Sequence, residues 1–447
     1  MKHINGYTMK FSIFILVLTT ASLGTFAQGN FSPYSQLGLG DIEDNFYNRT
    51  SGLSNTGIAY RSNSFLINNN PAAFSGLNNQ LFVAETGIRG SLVNYYGKPV
   101  DPSGNQSGDI TFRRFVMGIK AAKHWGTSFG LVPFATQNYE FSVPYYLQGS
   151  TDEIANNYYQ GHGSLNKVYW ANSYEFFGDQ PDKLNQPGRK HKHHISIGVD
   201  AGYVFGQLNQ KNILQSPSTG ASLVSTTNDV EIRNLYMNYG LQIYGRINKK
   251  LEYSVGATFS NKQDLFAEAT KTVLGPDSSI LQGGTVSQQN LTMPNTVGLG
   301  AMVTLRQKYK FLADYKYQGW SDVKNTYPGK DYQLVNSEKG SVGFEISRKK
   351  IFRDYYGNGV AFETSYFQAG AYYGKSYLAL NGQQIKDYGL TAGFGINSLK
   401  NLLNYAIIFQ YGIKGTQNNN LVEQRYANVT FIINYSQVWN TRGRRVN

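Results

Sequence analysis

Ile195-Ser196-Ile197-Gly198-Val199-Asp200-Ala201-Gly202-Tyr203-Val204-Phe205 sets apolar or aromatic side chains at every second position. Between them stand mostly small or polar residues: Ser196, Gly198, Asp200 and Gly202. A period of two belongs to a β-strand with unlike faces. The length matches a membrane-crossing strand of about 9–11 residues. Apolar outside and small or polar inside is the pattern of an outer-membrane barrel.

The same pattern returns through the chain. It is clearest at Leu235/Met237/Tyr239/Leu241/Ile243, Leu251/Tyr253/Val255/Ala257/Phe259, Tyr388/Leu390/Ala392/Phe394/Ile396 and Val429/Phe431/Ile433/Tyr435. Between Gln80 and Val438 it predicts about fourteen strands, an even number as bacterial barrels require. Tight connections (Ala122–Gly126, Asn248–Lys250, Arg306–Lys308, Asn397–Asn401) alternate with long ones. The long ones are Val93–Asp109, Pro144–Ser164, Gly206–Val230, Ala267–Pro294, Ser321–Lys339, Gly374–Ile385 and Gly415–Arg425. Short periplasmic turns and long external loops fit this alternation. Two connections assigned to the periplasmic side, Phe177–His193 and Lys349–Val360, are long for that side.

Composition agrees. The chain holds 48 Gly, 34 Tyr and 26 Phe, with only 15% charged residues, which supplies strands, turns and aromatic girdles but no charged helix bundle. The absence of cysteine excludes a lipoprotein anchor, disulfides and thiolate metal sites. Lys2 and Lys10, the apolar run Phe11–Leu18 and Thr25-Phe26-Ala27 read as a secretory signal over residues 1–27, cleaved near Ala27. No other run approaches ~18 apolar residues, so helical membrane spans are not expected. Residues 28–79 lack alternation, yet Tyr34, Leu37, Leu39, Phe46, Tyr47, Leu53, Phe65 and Leu66 make them too apolar for a disordered tail. They are expected to fold as a plug in the lumen of a barrel spanning residues 80–447.

The net charge of +13 is not massed on one helix or RNA-binding motif, so no nucleic-acid partner is expected. A barrel among anionic lipids accounts for basic rims. The tight turns carry Lys123, Lys249, Lys250, Arg306, Lys308 and Lys400, a solvated rim or a docking surface for an acidic periplasmic partner. Tyr95, Tyr96, Trp320 and Trp439 read as interface girdle.

Asn70-Pro71-Ala72, just before the first strand, resembles the Asn-Pro-Ala of the plug in FadL/TodX-type outer-membrane transporters. Asp314-Tyr315-Lys316-Tyr317-Gln318-Gly319-Trp320-Ser321-Asp322 is similar to a strand ending in Trp-Ser-Asp common in that family. Ser32-Pro33-Tyr34-Ser35-Gln36-Leu37-Gly38-Leu39-Gly40-Asp41 resembles the mature start of many such barrels from Bacteroidetes. The resemblance implies passive outer-membrane uptake of hydrophobic small molecules, long-chain fatty acids or aromatics, through a plugged barrel with a gap in its wall. Some relatives look instead like subunits of an outer-membrane protein secretion or assembly machine, which is the alternative, with periplasmic or secretion-machinery proteins as partners.

A lateral gap needs a strand that stops pairing. Pro133, Phe134 and Ala135 lie in such a strand, and proline donates no ladder hydrogen bond. A carboxylate ligand calls for a buried cation. Arg113 and Arg114 are adjacent, so strict alternation sends one of them inward. No cofactor or metal is expected: Arg189-Lys190-His191-Lys192-His193-His194 holds three imidazoles, but among cations that repel a metal. No enzyme is expected either. His3, His124 and His162 read as signal, turn and loop, and no nucleophile or nucleotide motif sits on a strand–helix unit.

Overall fold

The computed structural model describes residues 32–97, 105–146, 153–176, 193–216, 221–248, 250–323, 332–353, 359–398 and 402–438. The signal segment, Arg189–Lys192, Lys249, Lys400 and Trp439 lie outside them.

The wall is one closed antiparallel sheet of fourteen strands. In chain order these are β1 Leu81–Tyr96, β2 Gln106–Ala122, β3 Trp125–Tyr146, β4 Glu153–Phe176, β5 His193–Gln215 and β6 Ser222–Asn248. β7 runs Leu251–Ser260 and resumes Gln263–Leu274; β8 runs Ile280–Met293 and resumes Thr296–Leu305. Then come β9 Tyr309–Gln318, β10 Ser337–Arg353, β11 Gly359–Leu380, β12 Gln383–Asn397, β13 Leu403–Gly415 and β14 Glu423–Val438. Each strand pairs with its sequence neighbour, and β14 closes on β1 from Leu81↔Val438 to Tyr96↔Glu423. The interruptions of β7 and β8 lie side by side: Pro294 has no N–H to give, and Asn295 Oδ1 accepts the Lys262 N–H at 2.7 Å.

The period of two sets the faces. On β5, Ile197, Val199, Tyr203 and Phe205 stand exposed on the outside while Ser196, Asp200 and Val204 are buried inside. The same holds for Val255 and Phe259 on β7, Leu390 and Phe394 on β12, and Phe409 and Tyr411 on β13. These outward side chains form the lipid-facing belt.

The long external loops expected from the sequence are for the most part strand. β3, β4, β5 and β6 run 22, 24, 23 and 27 residues, far more than a bilayer crossing needs. Their outer halves carry polar alternation, as in Gln207–Gln215 and Ser222–Glu231, which pairs in the ladder as well as apolar alternation does. His162, expected in a loop, pairs mid-strand with Asn138 and Asn209.

Residues 32–80 form short 3₁₀ turns whose contacts fall on strands all round the wall. Arg49–Leu53 packs on β10 to β13 and Pro71–Gly76 on β2 to β6. Glycine makes this approach possible. A Cβ on Gly198 of β5 would collide with the Pro71 backbone, and one on Gly240 of β6 with Asn70 Oδ1.

Candidate functional site

Asn70 organises one end of the N-terminal segment. Its Oδ1 accepts the Ala72 N–H at 3.0 Å, capping the turn that Pro71 opens. Its Nδ2 donates to Ile58 O at 2.9 Å and to Leu241 O of the wall at 3.1 Å. Asn70 and Ala72 are wholly buried. Asn-Pro-Ala thus joins a local cap to a wall contact.

The other fastenings are charged. Arg49 donates to Glu345 of β10 and Glu363 of β11 and lies 3.9 Å from the centre of the Tyr366 ring. Lys310 reaches the same Glu345 at 2.8 Å. Asp44 pairs with Lys316 at 2.7 Å, and Arg61 with Glu175 at 3.0 Å. Burial pushes the Asp44 carboxyl up, but Lys316 and Lys339 outweigh it and hold the group well below the usual carboxylate range.

Between β2 and β3 the wall ladder stops. Pairing runs from Ala122↔Trp125 to Phe115↔Leu131, and no further pair joins these strands among the described residues. Just beyond, β3 slips against β4: Pro133 pairs with Asn166, Ala135 with Leu165, and Phe134 is the extra residue. The bulge turns Phe134 and Ala135 both to the buried side. The edge of β3 that β2 leaves is taken by the N-terminal segment. Asp41 and Ile42 pair with Thr136 and Ala135, the Glu43 N–H donates to Phe134 O at 2.9 Å, and the Ser32 N–H to Asn138 O at 2.7 Å.

A cavity of about 710 Å³ lies beside this break, reached by Phe112 and Arg113 of β2, Pro133 and Gln137 of β3, and Arg89 of β1. Its lining is mixed, nearly half apolar, and includes the acids Asp41, Glu43, Asp109 and Asp387 and the cations Arg89, Arg113, Lys339 and Lys414.

Arg113 and Arg114 correct the expectation of opposite faces. β1 pairs Gly87 with Arg114 and Ile88 with Phe112, so Arg113 is a bulge residue and both side chains turn inward. Both are buried. Their roles differ. Both Nη groups of Arg114 are engaged, by Glu85 at 2.7 Å and by the carbonyls of Phe46 and Leu66, and only its Nε is without a partner among the described residues. Arg113 lies at the cavity, 3.7 Å from Glu43, and its Nε has no partner among the described residues. Arg89, which sequence reasoning did not single out, lies beside it. Its Nη1 donates to the Tyr47 hydroxyl at 2.9 Å, and both guanidinium groups stand over the Tyr47 ring. Burial pushes the Tyr47 hydroxyl up to about 12.

A second correction concerns the aromatic girdle. Trp320 is not at the interface; it is 0% exposed, stacked on Tyr377 with ring centres 4.5 Å apart. Tyr95 is buried and only its neighbour Tyr96 faces outward, as alternation requires. Trp320 belongs to an apolar cluster that joins Tyr34, Leu37 and Leu39 to Leu208, Val230, Leu265, Leu291 and Leu378 from the outer halves of the strands. This packed core occupies the barrel mouth. The signal that could have placed it is the run of inward apolar residues in the outer halves of β5 to β8.

The family model described as BamG matches residues 9–447. The chain belongs to the BamG family. The BamG-family chain has the fold of the FadL-type outer-membrane transporters. It is similar to a FadL homologue of Pseudomonas aeruginosa (TM-score 0.58, 12% identity, 90% of this chain and 100% of that one). It is also similar to the toluene transporter TodX of P. putida (0.56, 14%, 90% and 100%) and to the monoaromatic hydrocarbon channel CymD (0.52, 13%, 87% and 96%). No curated protein matches the sequence. A barrel of this fold belongs in the outer membrane, and its structural neighbours are channels, not enzymes.

Proposed function

We propose that this BamG-family barrel is an outer-membrane channel for passive entry of hydrophobic small molecules, and that its cargo is an acid with a long apolar tail. One observation carries the reading: the wall ladder ends between β2 and β3 beside a cavity of mixed lining that holds Arg113. A plain hydrocarbon gains little in a cavity lined by carboxylates and guanidinium groups. An amphiphile gains at both ends. Its head meets Arg113 and Arg89, and each tail methylene that passes into lipid contributes about 0.8 kcal/mol. In this reading residues 1–27 are a signal cleaved near Ala27, 28–79 are the plug, and Pro133–Ala135 form the kink of a lateral exit.

The test is uptake of a fluorescent long-chain fatty acid into proteoliposomes. Pro133→Val, which restores a ladder donor, should cut the initial rate at least severalfold. An unchanged rate removes the exit from this place.

A second reading, a barrel subunit of an outer-membrane protein secretion or assembly machine, is favoured by the apolar core packed in the mouth and by the buried ion pairs that fasten the N-terminal segment. Purification in mild detergent followed by mass spectrometry separates the two: bound acyl chains support the channel, stoichiometric polypeptides the subunit.

A further inference from the structure

The tight-turn end of the barrel carries a structure that transport does not use. The last pair of β9 with β10 is Tyr309↔Ile346, where Ser347 N donates to Lys308 O at 2.9 Å. The last pair of β11 with β12 is Ser365↔Ile396. Yet β10 and β11 go on pairing with each other, from Lys349↔Glu363 to Arg353↔Gly359. A two-stranded hairpin therefore stands out from the rim by roughly 15 Å at ~3.4 Å per residue. Neither of its outer edges joins another ladder among the described residues. This is the connection that the sequence showed to be too long for a periplasmic turn.

Charge gathers around its base. β6, β7, β8, β9 and β10 are consecutive in the wall, and their tight-turn ends expose Arg246, Lys250, Arg306, Lys308, Arg348, Lys349 and Lys350. Glu252, half-buried and paired with Arg246 at 2.8 Å, is the acid that stands among them in the described residues. At the opposite end several cations pair with acids: Lys375 with Glu338, Arg425 with Glu423, Arg233 with Glu231. The chain even keeps Arg306 and Gln307 at φ +52° and +54°, where glycine or asparagine fits a two-residue hairpin better. Both chain ends of the wall, Leu81 and Val438, lie at this same end, and Arg442, Arg444 and Arg445 follow Val438 in sequence.

We propose that this hairpin and its basic arc are a docking surface for an acidic periplasmic protein. The hairpin reaches past the turns and offers two extended backbone edges, which a polypeptide can meet and a lipid headgroup cannot. Like charges on five neighbouring strands repel one another unless an acidic surface covers them.

The whole protein in phosphatidylcholine nanodiscs tests this, with a fluorescein-labelled glutamate-rich peptide as probe. The peptide should bind saturably and lose affinity steeply as salt rises. Changing Arg306, Lys308, Arg348, Lys349 and Lys350 together to Gln should weaken binding about tenfold. Lys262→Gln with Lys271→Gln, at the opposite end, should leave it unchanged. These side chains are exposed, so folding persists, and heat-modifiable gel mobility verifies it. A second variant with residues 349–362 replaced by a short turn should lose the same affinity. Absence of binding, equal binding by either variant, or displacement of the peptide by phosphatidylglycerol vesicles overturns the proposal.

Discussion

Arg49 Nη2 lies 2.8 Å from Glu345 Oε1, and neither side chain is more than 3% exposed. A charge pair this deep is balanced by geometry alone: Glu363 and the Tyr366 ring hold the rest of the guanidinium. Removing one partner leaves the other charge buried. Arg49→Ala should therefore cost about 3–5 kcal/mol. Arg49→Lys should recover only part, because an ammonium cannot form both bidentate contacts. Denaturant unfolding in lipid vesicles measures both.

Asn70 joins a cap to the wall, so Asn70→Ala removes a capping bond and leaves the Leu241 carbonyl short of a donor. The loss should be about 1–2 kcal/mol. Gly240→Ala pushes on the same Asn70 Oδ1 from the wall side and should displace it. Protease cleavage within residues 32–80 should accelerate in both variants while the barrel stays intact.

Asp44 gives the segment an acid-sensitive fastening. Its pKa is depressed in the folded state by Lys316 and Lys339. Its contribution is complete above the ordinary aspartate value of ~3.9 and is lost as pH falls through the lower folded value. Wild type should show no Asp44-dependent change between neutrality and mild acid, then loosen in strong acid. Asp44→Asn should already be loosened at neutral pH and lack that acid limb. Protection of the segment against an acid-stable protease across the pH series reads this out.

The two neighbouring arginines should separate stability from binding. Arg114→Gln strands Glu85 and should destabilise by about 3 kcal/mol. Arg113→Gln should leave unfolding nearly unchanged and weaken binding of a long-chain acid about tenfold, through loss of a charge-assisted contact. Equal effects of both on binding would contradict the proposed head-group site.

Gly40 holds the N-terminal segment on β3. Its φ is +80°, and a Cβ there would lie 2.5 Å from Thr136 O. Gly40→Ala should cost at least ~1 kcal/mol and detach Asp41–Ile42 from the strand edge. Amide exchange at Thr136 and at Ile42 should speed up, with that of Phe115–Lys120 unaffected.

Alternation was enough to find most of the wall, because one face meets lipid and the other does not, and that difference is written at every second residue from Ile195 to Phe205. It failed where the outside of the barrel is water. Gln207–Gln215 and Ser222–Glu231 lack an outward apolar face and bury an apolar side chain only at Leu208 and Val230, so they read as loops although they pair as strands. Asn70-Pro71-Ala72 and Pro133 were legible because Asn capping and the missing proline donor act within a few residues. Trp320 was misplaced because aromatic residues near strand ends look alike whether they meet lipid or a packed mouth.

The chain alone determined a lipid-embedded sheet with an even number of strands, since that follows from side-chain period and turn spacing, both local. Only the closed barrel decided the rest. A one-residue bulge beside Gly87 turned Arg113 inward with Arg114. Segments far apart in sequence placed Arg49 between Glu345 and Glu363, and Arg306 and Lys349 at the same end of the barrel. Register and closure set these meetings, and each depends on every strand at once.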